Sequence, residues 1–546
     1  MRWISVLVLA ALLTAAPSLH PTQAAAGDLD ASFGRGGRVV TEFTSHSNFS
    51  HAVAIQPDGK ILAAGESLKP FADWDFALAR YNRDGSLDQT FGAGGKVTTD
   101  MGGRLDSIQA IAVQSDGKIV AVGQSFDFFI TGAFLSEFAA ARYNPDGSLD
   151  TTFGNGGKVI THFSSGFSFM DDSRAFAVAV QPDGKIIAAG SAFASFENLD
   201  FALVRYNANG SLDPTFGNGG LLTTNVGSRF EGAFGLELQP DGKIIASGYT
   251  TFGVDDFALV RYNPNGSLDP TFGSSGMVRT DFNDSGDQAF AMALQPDGKI
   301  ILAGYTKRAD TNYRFALARY EASGALDSSF GSGGKAVNEI FGSFEESARA
   351  VAVQPDGKIV VAGGGQAGFL VVRYNADGTL DGSFGDGGVN KTDFSDFTDE
   401  DGEVVGASAE AVAIQADGKI VAGGNLNKGF GAVLAFAMAR YTGDQEEDQG
   451  FDVCLQDEGR GEFLQINSTT GDYRFTDCAG LTIVGTGALT QRASVLTLRH
   501  NASDRRVSAM IDTARRTGTA SVKAFSQLGV YTITDRNTAD NTCACR

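Results

Sequence analysis

The stretch "AVAIQPDGKILAAG", residues 52–65, decides the fold because it occurs repeatedly along the chain. Six altered copies follow, among them "AIAVQSDGKIVAVG" and "AVAIQADGKIVAGG". A catalytic motif is needed once, whereas a phrase that occurs seven times is typical of a structural building unit. The sequence therefore indicates a repeat architecture.

Each unit carries three marks in fixed order: the Asp-Gly-Lys turn, an Arg-Tyr pair and an "LDxxFG" stretch, at spacings of 54 to 67 residues. One unit predicts four short strands, "AVAIQ", "KILAAG", "FALARYN" and "GKVTT", and a Pro-Asp-Gly turn joins the first two. Most strands are apolar on both faces, which suits a sheet packed between neighbouring sheets. Seven such units predict an all-β fold, a seven-bladed β-propeller of four-stranded blades.

The two ends of the array are incomplete in complementary ways. The first "LDASFGRGG" leads into "RVVTEF", a fourth strand without partners before it, and the last unit stops after its third strand, "FAMARYTGD". We expect Val39 to Phe43 to complete the sheet that holds Phe436 to Tyr441. Such pairing closes the ring and removes its open sheet edges.

The marks "LDxxFGxGG", "QPDGKI" and "FALARYN" together resemble the delta-60 repeat family over about residues 29–441. The departures are small: Ser275 replaces the second Gly of one turn, and "EASGALD" lacks the usual Asn. The resemblance implies a propeller in a bacterial secreted or surface protein, and it implies no activity.

Residues 1–26 have the layout of a secretory signal peptide, with a basic Arg2, a short apolar run, and small residues at Ala24 and Ala26. The apolar run is too short to span a bilayer, and no later stretch is apolar enough to do so. We therefore expect a secreted, extracellular or cell-surface protein. Its net charge of -21 argues against nucleic acid as a partner, and we expect a monomer.

The repeat pattern ends before the C-terminus, so the expected domains are a propeller at 27–443, an acidic linker at 444–450 and a β module at 451–546. Segments such as "ASVLTLRH" and "GVYTITD" alternate with turns in the module, which predicts a small β-sandwich or barrel.

All four cysteines lie in this C-terminal module. An even number of cysteines in an exported chain favours disulfides over a metal site. We expect each of Cys543 and Cys545 to pair with either Cys454 or Cys478, and the sequence leaves both pairings open.

Patterns for catalysis or metal binding are scarce. The four His beyond the predicted signal peptide share no motif spacing. The sequence therefore gives little support for a histidine metal site or a Ser-His-Asp triad. The segment "NRDGSLD", residues 82–88, alternates oxygen ligands as calcium loops do. Its Gly is at the fourth place and no bidentate Glu follows, so a turn capped by the Asp of "LD" is favoured. We expect no catalytic residues, no metal site and no cofactor, with calcium as the open exception.

The seven Arg of the Arg-Tyr pairs occupy equivalent positions, and such a ring of Arg is able to hold an anion. Every unit also supplies Asp in its Asp-Gly-Lys turn and in "LD". A charge-assisted Arg–Asp pair within or between units is the simpler use and is favoured.

Binding residues are expected at one end of the units. In an up-and-down sheet the first and third turns share one end, and here these turns are nearly identical in every copy. The second turns and the unit-to-unit connections share the other end and differ in every copy, as binding loops on a fixed scaffold do. The expected binding residues are Asp73, Trp74, Phe128, Phe129, Phe196, Tyr249, Tyr305 and Tyr313.

Two functions fit these observations. Aromatic rings beside carboxylates suit recognition of a glycan, peptide or protein by a non-catalytic binding scaffold. The alternative is a propeller enzyme, similar to a lyase or lactonase, with a metal near the ring axis. A structural alternative also exists for the aromatic residues, namely that they pack beneath their own loops.

Overall fold

A computed structural model describes residues 25–444, with gaps, and nine further strands between residues 453 and 534. The gaps within the first range are 71–72, 129–133, 164–169, 196–197, 228, 283–285, 308–311, 341–345, 366–367, 398–405 and 429–433. Most of the expected signal peptide and linker therefore lie outside the described residues, as do Phe129, Phe196, Cys478, Cys543 and Cys545.

The repeat region consists almost entirely of short strands. In chain order they are β1 (Arg38–Thr41), β2 (Asn48–Ile55), β3 (Ile61–Lys69), β4 (Asp73–Tyr81), β5 (Lys96–Thr99), β6 (Leu105–Val113), β7 (Ile119–Phe128), β8 (Phe134–Tyr143), β9 (Lys158–Thr161), β10 (Met170–Val180), β11 (Ile186–Ser195), β12 (Asn198–Tyr206), β13 (Leu221–Thr224), β14 (Glu231–Leu238), β15 (Ile244–Phe252), β16 (Val254–Tyr262), β17 (Met277–Thr280), β18 (Asp287–Leu294), β19 (Ile300–Lys307), β20 (Tyr313–Tyr320), β21 (Lys335–Asn338), β22 (Ser347–Val353), β23 (Ile359–Gly365), β24 (Gly368–Tyr374), β25 (Val389–Thr392), β26 (Gly406–Ile414), β27 (Ile420–Asn427) and β28 (Leu434–Tyr441). A single 3-10 turn, Ser395–Phe397, follows β25.

These strands pair as antiparallel units of four. Unit 1 comprises β2 to β5, and units 2 to 6 follow in the same order up to β25. Unit 7 comprises β26, β27 and β28, and its fourth strand is β1 from the start of the chain. The four predicted strands of the repeat are thus present, and the all-β, propeller-like fold is confirmed.

Strand β1 pairs with β28 in the register Arg38↔Ala439 to Thr41↔Phe436. The sequence placed this strand at Val39 to Phe43, so the observed strand begins one residue earlier and ends two residues earlier. Buried side chains of units 1 and 7 also share one hydrophobic cluster, which includes Phe33, Tyr81 and Val421.

The repeated turns lie at one end of each unit, and the same group of side chains occurs at that end in every unit. In unit 1, Arg80 Nε lies 2.7 Å from Asp88 Oδ2, and Lys60 of the Asp-Gly-Lys turn lies 2.9 Å from the same oxygen. The Arg80 guanidinium also lies over the ring of Phe91, 4.5 Å from its centroid. Burial acts to raise the pKa of the Asp88 carboxyl, but the hydrogen bonds from Thr90 and Lys60 outweigh it and hold this pKa below its ordinary value.

The same Arg–Asp pair forms in all seven units, at 2.7 to 2.9 Å. The pairs are Arg80–Asp88, Arg142–Asp150, Arg205–Asp213, Arg261–Asp269, Arg319–Asp327, Arg373–Asp381 and Arg440–Asp30. The structural use of the Arg is therefore confirmed, with the Asp of "LD" as its partner. The Asp of the Asp-Gly-Lys turn instead accepts the backbone N–H of its own Lys, as Asp58 does from Lys60.

The Arg also ties each unit to the next. Arg80 donates to the carbonyl oxygen of Pro145 in unit 2, and equivalent bonds leave units 2, 3, 4, 5 and 7. In unit 6, Arg373 donates instead to the carboxylate of Asp444, at 2.6 Å. The bond from unit 7 runs from Arg440 to the carbonyl oxygen of Arg83 in unit 1.

The Tyr of each Arg-Tyr pair provides a second link between units. Its buried hydroxyl hydrogen-bonds a Thr at the end of the preceding fourth strand, over 2.6 to 3.0 Å. The pairs are Tyr81–Thr41, Tyr143–Thr99, Tyr206–Thr161, Tyr262–Thr224, Tyr320–Thr280 and Tyr441–Thr392. Unit 6 differs because Asn338 takes the place of the Thr. There the Tyr374 hydroxyl and Asn338 Oδ1 are both buried, and neither has a hydrogen-bond partner among the described residues.

The nine C-terminal strands form one antiparallel sheet. They are β29 (Val453–Gln456), β30 (Phe463–Ile466), β31 (Asp472–Thr476), β32 (Thr482–Thr486), β33 (Ala488–Arg492), β34 (Val495–Asn501), β35 (Arg505–Asp512), β36 (Thr517–Ala524) and β37 (Gln527–Thr534). Their order in the sheet is β32-β31-β30-β29-β37-β36-β35-β34-β33. Cys454 lies in β29, and the disulfide pairing stays a prediction.

In the part of the chain that the structure describes, no helix has the length and apolar character that a membrane crossing requires.

Unit 6 offers a test of the Tyr–Thr link. Replacing Asn338 with Thr supplies the partner that six other Tyr hydroxyls have, so we expect the free energy of unfolding to rise by about 1 kcal/mol. Asn338→Val is the matched control, since it has the shape of Thr without the hydroxyl. Thermal unfolding measures both, and equal melting temperatures for the two variants would contradict the role assigned to this hydrogen bond.

Candidate functional site

A β-bulge interrupts the first strand of every unit. In unit 1, Ser50 pairs with Gly65 and Ala52 pairs with Ala64, so His51 is an extra residue without a partner in β3. The register shifts at the equivalent place in each of the other units. The seven extra residues, here named the bulge residues, are His51, Gln109, Phe176, Phe234, Phe290, Arg349 and Glu410.

The glycine that ends each repeated phrase makes room for the bulge. A Cβ on Gly65 would lie 1.8 Å from the carbonyl oxygen of Phe49, closer than any side chain is able to sit. The equivalent glycines of the other units meet the first strand at 1.8 to 2.0 Å, and they are Gly123, Gly190, Gly248, Gly304, Gly363 and Gly424. The repeated Gly therefore serves the bulge, and the bulge changes the direction of one side chain per unit.

The bulge residues are accessible although the residue before each of them is not. The residue before each bulge residue is no more than 1% exposed, as with Ser50, Ile108 and Ala175. The bulge residues themselves are half-buried, and Arg349 is exposed. The first strands of consecutive units lie against one another, and β2 also lies against β26. These seven side chains therefore occupy one surface formed by all the units.

Units 3 to 5 contribute an aromatic group to this surface. Phe176 and Phe234 are stacked with ring centroids 4.4 Å apart, and Phe234 meets Phe290 edge-on at 5.6 Å. Tyr249 stacks on Phe234 at 5.5 Å, and Tyr305 packs on Phe290 at 5.7 Å. Tyr313 continues the group beyond Tyr305, at 4.6 Å. Such half-buried rings offer flat apolar faces for stacking.

Units 6, 7 and 1 contribute a charged group. The Arg349 guanidinium lies 4.4 Å from the centroid of Phe290 and 4.0 Å from the Glu410 carboxylate, so it joins the aromatic and charged groups. In unit 1, His51 Nε2 lies 3.8 Å from Glu66 Oε2. The surface is thus apolar on one side and carries both signs of charge on the other.

Comparison with known proteins places the repeat in a family. Seven stretches match a family described as "Domain of unknown function (DUF5122) beta-propeller", at residues 56–91, 114–153, 181–216, 239–272, 295–330, 354–384 and 415–444. The repeats belong to this β-propeller family. This agrees with the resemblance to delta-60 repeats, and the family description names no activity. No curated protein matches the sequence.

Several solved structures are similar to the DUF5122 propeller at a low level. Virginiamycin B lyase from Staphylococcus aureus aligns over 74% of this chain and 98% of its own, with 10% identity and a TM-score of 0.38. Polysaccharide lyase Uly1 aligns over 74% and 91%, with 13% identity and a TM-score of 0.40. A gluconolactonase from Xanthomonas campestris aligns over 59% and 90%, with 12% identity and a TM-score of 0.30. Similarities this low carry no argument about activity or ligand.

The binding residues expected from sequence fall into separate groups. Tyr249, Tyr305 and Tyr313 are brought together in the aromatic group. Burial raises the pKa of the Tyr249 and Tyr305 hydroxyls above the ordinary value, and the nearby Tyr313 adds to the effect on Tyr305. Trp74 lies apart from this group, half-buried in unit 1, where it packs on Phe49 at 5.5 Å. Asp73 begins the same strand.

Two of the remaining expected residues, Phe129 and Phe196, lie outside the described residues, and Phe128 is described only as the last residue of β7.

Sequence reasoning missed the bulge residues, although a signal was present. Each stands directly before the repeated apolar phrase, as in "HAVAIQ", "FAVAVQ" and "EAVAIQ". Its identity changes from His to Gln, Phe, Arg and Glu while the following residues hardly change. A variable position inside a repeated strand, with a Gly fixed in the next strand, is the pattern that would have indicated them.

Glu237 is a second unusual residue of the first strands. It lies in β14 of the propeller, three residues after Phe234, and the other six units have Ala at this position. Burial raises its pKa from 4.5 to about 7. Because the folded protein binds this proton more tightly than the unfolded chain does, Glu237 makes stability fall as the pH rises from about 4.5 to about 7.

This effect predicts a pH-dependent gain on removing the carboxylate. Glu237→Gln should equal the parent protein in stability near pH 4.5 and exceed it at pH 8, by at most about 3 kcal/mol. Glu237→Ala, which restores the residue of the other units, should behave in the same way. Thermal unfolding across this pH range measures the difference, and a gap between variant and parent that does not change with pH would contradict it.

Proposed function

We propose that this chain is a secreted or surface-associated, non-catalytic binding scaffold that holds its ligand on the surface of the bulge residues. The observation that carries the proposal is a difference within one chain: the contacts that build each unit are constant, whereas the side chains at the bulges vary. Seven bulges, seven glycines and seven Arg–Asp pairs are equivalent, whereas the side chains that the bulges present include His, Gln, Phe, Arg and Glu. A purely structural position would have no need for His, Phe, Arg and Glu in turn.

The composition of the surface favours a ligand with both apolar and polar groups. The aromatic group offers stacking faces to sugar rings or aromatic side chains, and the Arg349–Glu410 pair offers a donor and an acceptor beside them. These properties support a glycan, peptide or protein ligand. The acidic net charge of -21 speaks against nucleic acid.

The alternative is an enzyme similar to the lyase and lactonase propellers. The observation in its favour is the His51–Glu66 pair, because a carboxylate 3.8 Å from a ring nitrogen is able to orient an imidazole for proton transfer. Within the described residues, however, the two groups of carboxylates that could hold a metal include neither His51 nor Glu66. The binding scaffold is therefore preferred.

Binding of a ligand tests the proposal. Glycan and peptide arrays probed with the full-length protein identify the class of ligand, and calorimetry then compares variants. Phe234→Ala removes the centre of the aromatic group, so we expect affinity to fall about tenfold to hundredfold.

The control for this experiment is Lys118→Ala, at the opposite end of the units, which should leave affinity unchanged. Retained affinity in Phe234→Ala together with a loss in Lys118→Ala would place the site at the wrong end of the molecule. A protein that turned over a substrate through His51 would favour the enzyme instead.

The scaffold is proposed to be a closed ring of seven four-stranded blades, followed by a separate C-terminal module. Support comes from the pairing of β1 with β28 and from the contact of β2 with β26. Arg440 of the last unit also binds Asp30 and the carbonyl oxygen of Arg83. The Arg–carbonyl bond and the Tyr–Thr bond that join neighbouring units thus also join the last unit to the first.

Deleting residues 28–43 tests closure. The deletion exposes the edge of β28 and leaves the buried Arg440 without its carboxylate, so we expect a loss of at least about 3 kcal/mol in the free energy of unfolding. A circular permutant that carries the same residues after Thr442 should retain the stability of the parent. An unchanged melting temperature in the deletion variant would rule closure out.

A further inference from the structure

Three sequence positions recur at the junctions between consecutive units. They are the residue before the Phe of the third strand, a residue just after the fourth strand, and a residue near the start of the next first strand. At two junctions all three are Asp, with the same spacing of 25 and 6 residues. The sets are Asp75, Asp100 and Asp106 between units 1 and 2, and Asp256, Asp281 and Asp287 between units 4 and 5.

Each set brings its carboxylates close together. One carboxylate oxygen from each residue lies within 4.8 Å of the other two, in both sets. The first and third Asp of each set are almost fully buried: Asp75 is 1% exposed, Asp106 0% and Asp287 1%. Like charges this close repel each other strongly out of water, so the arrangement needs a compensating positive charge.

Buried oxygens in these sets lack partners. Asp106 Oδ2 accepts the backbone N–H of Met101 at 2.6 Å, and the Ser125 hydroxyl lies beside the same carboxylate. Among the described residues, Asp106 Oδ1 is buried without a hydrogen bond of good geometry. Asp287 is equivalent: its Oδ2 accepts the N–H of Phe282 at 2.6 Å, and the Thr306 hydroxyl lies beside the carboxylate. Asp287 Oδ1 and Asp75 Oδ1 are also buried without a hydrogen bond of good geometry to any described residue. Such atoms are rare in folded proteins, and a bound ion would supply the contact that these oxygens lack.

Other junctions of the same chain show how the charge is handled when the set is not all Asp. Between units 3 and 4 the middle residue is Asn225, whose amide donates to Asp200 at 2.9 Å. Between units 5 and 6, Arg314 pairs with Glu339 at 2.8 Å.

At the junction between units 2 and 3, His162 lies 3.1 Å from Glu137. These three junctions supply a donor from the protein itself.

In the two all-Asp sets the protein supplies only part of the charge. Lys69 pairs with Asp75, and Arg279 lies 3.1 Å from Asp256. Lys158 and Lys335 add a second cation beside each set, where they donate to the backbone oxygens of Asp100 and Asp281. These cations do not contact the buried oxygens of Asp106 and Asp287 that lack a hydrogen bond, and a divalent cation would give those oxygens and Asp75 Oδ1 a partner.

We propose that each of the two all-Asp junctions binds a calcium ion. Carboxylate oxygens are the ligands of hard divalent cations, and calcium accepts an irregular set of them more readily than magnesium does. The ion would tie the third strand of one unit to the first strand of the next. This role is structural and independent of the surface formed by the bulge residues.

The first test is the calcium content of the full-length protein. After purification in calcium chloride and removal of free ions, elemental analysis should find about two calcium ions per chain. Calcium should also raise the melting temperature relative to protein in chelator, by an amount that grows with the logarithm of its concentration. Absence of bound calcium, together with equal melting temperatures in calcium and chelator, would overturn the proposal.

Variants assign the ions to their sites. Asp106→Asn and Asp287→Asn should each reduce the content to one ion, and the double variant should bind none. The exposed Asp100→Asn removes a ligand with less effect on folding, and it should also leave one ion. Glu231→Gln, at the junction that carries Asn225, is the matched control and should retain two ions. Two ions retained in the double variant would show that calcium binds elsewhere and contradict the assignment.

Discussion

The fold depends on the buried Arg–Asp pair that lies in every unit, at the end that carries the repeated turns. A buried ion pair adds little net stability, because removing both charges from water costs about as much as their attraction returns. Breaking it is expensive, at about 3 to 5 kcal/mol, since one charge is left buried alone. The pair therefore works as a geometric requirement: Arg80 reaches Asp88 and the carbonyl oxygen of unit 2 only when both units are in register. The Phe beneath the guanidinium fixes its plane, and the Lys of the first turn occupies the remaining side of the carboxylate.

This requirement explains which parts of the structure were predictable. The strands, their order and an Arg–Asp pair in every unit all follow from phrases that recur seven times, because every copy must satisfy the same contacts. Which of the two repeated Asp is the partner of the Arg was left open by the sequence, and the structure identifies the Asp of "LD". The role of the "LD" Asp was predictable for the same reason, and Asp88 indeed accepts the backbone N–H of Thr90. Repetition within one chain gave the information that an alignment usually supplies.

The functional surface was harder to predict because it depends on one extra residue per strand. A bulge such as the one at His51 leaves the alternation of apolar residues nearly intact, so periodicity does not reveal it. The clue was a glycine in the neighbouring strand, and its steric reason appears only when the carbonyl oxygen of Phe49 is seen 1.8 Å from the place of its missing Cβ. The aromatic residues in the loops were easier to notice, and Tyr249 and Tyr305 join the surface only because Phe234 and Phe290 lie beneath them.

The same logic separates two kinds of variation among the units. At the bulge the backbone is constant and the side chain is free, so the surface can change without any cost to packing. At the junctions the three positions are coupled: an Asn beside Asp200, an Arg beside Glu339 and a His beside Glu137 each meet a local charge. Variation there is restricted by electrostatics, because a buried carboxylate without a counter-charge destabilises the fold. At the two all-Asp junctions Lys69 and Arg279 supply part of the counter-charge and the proposed calcium ion supplies the rest, whereas the bulge residues depend only on the constant backbone that presents them.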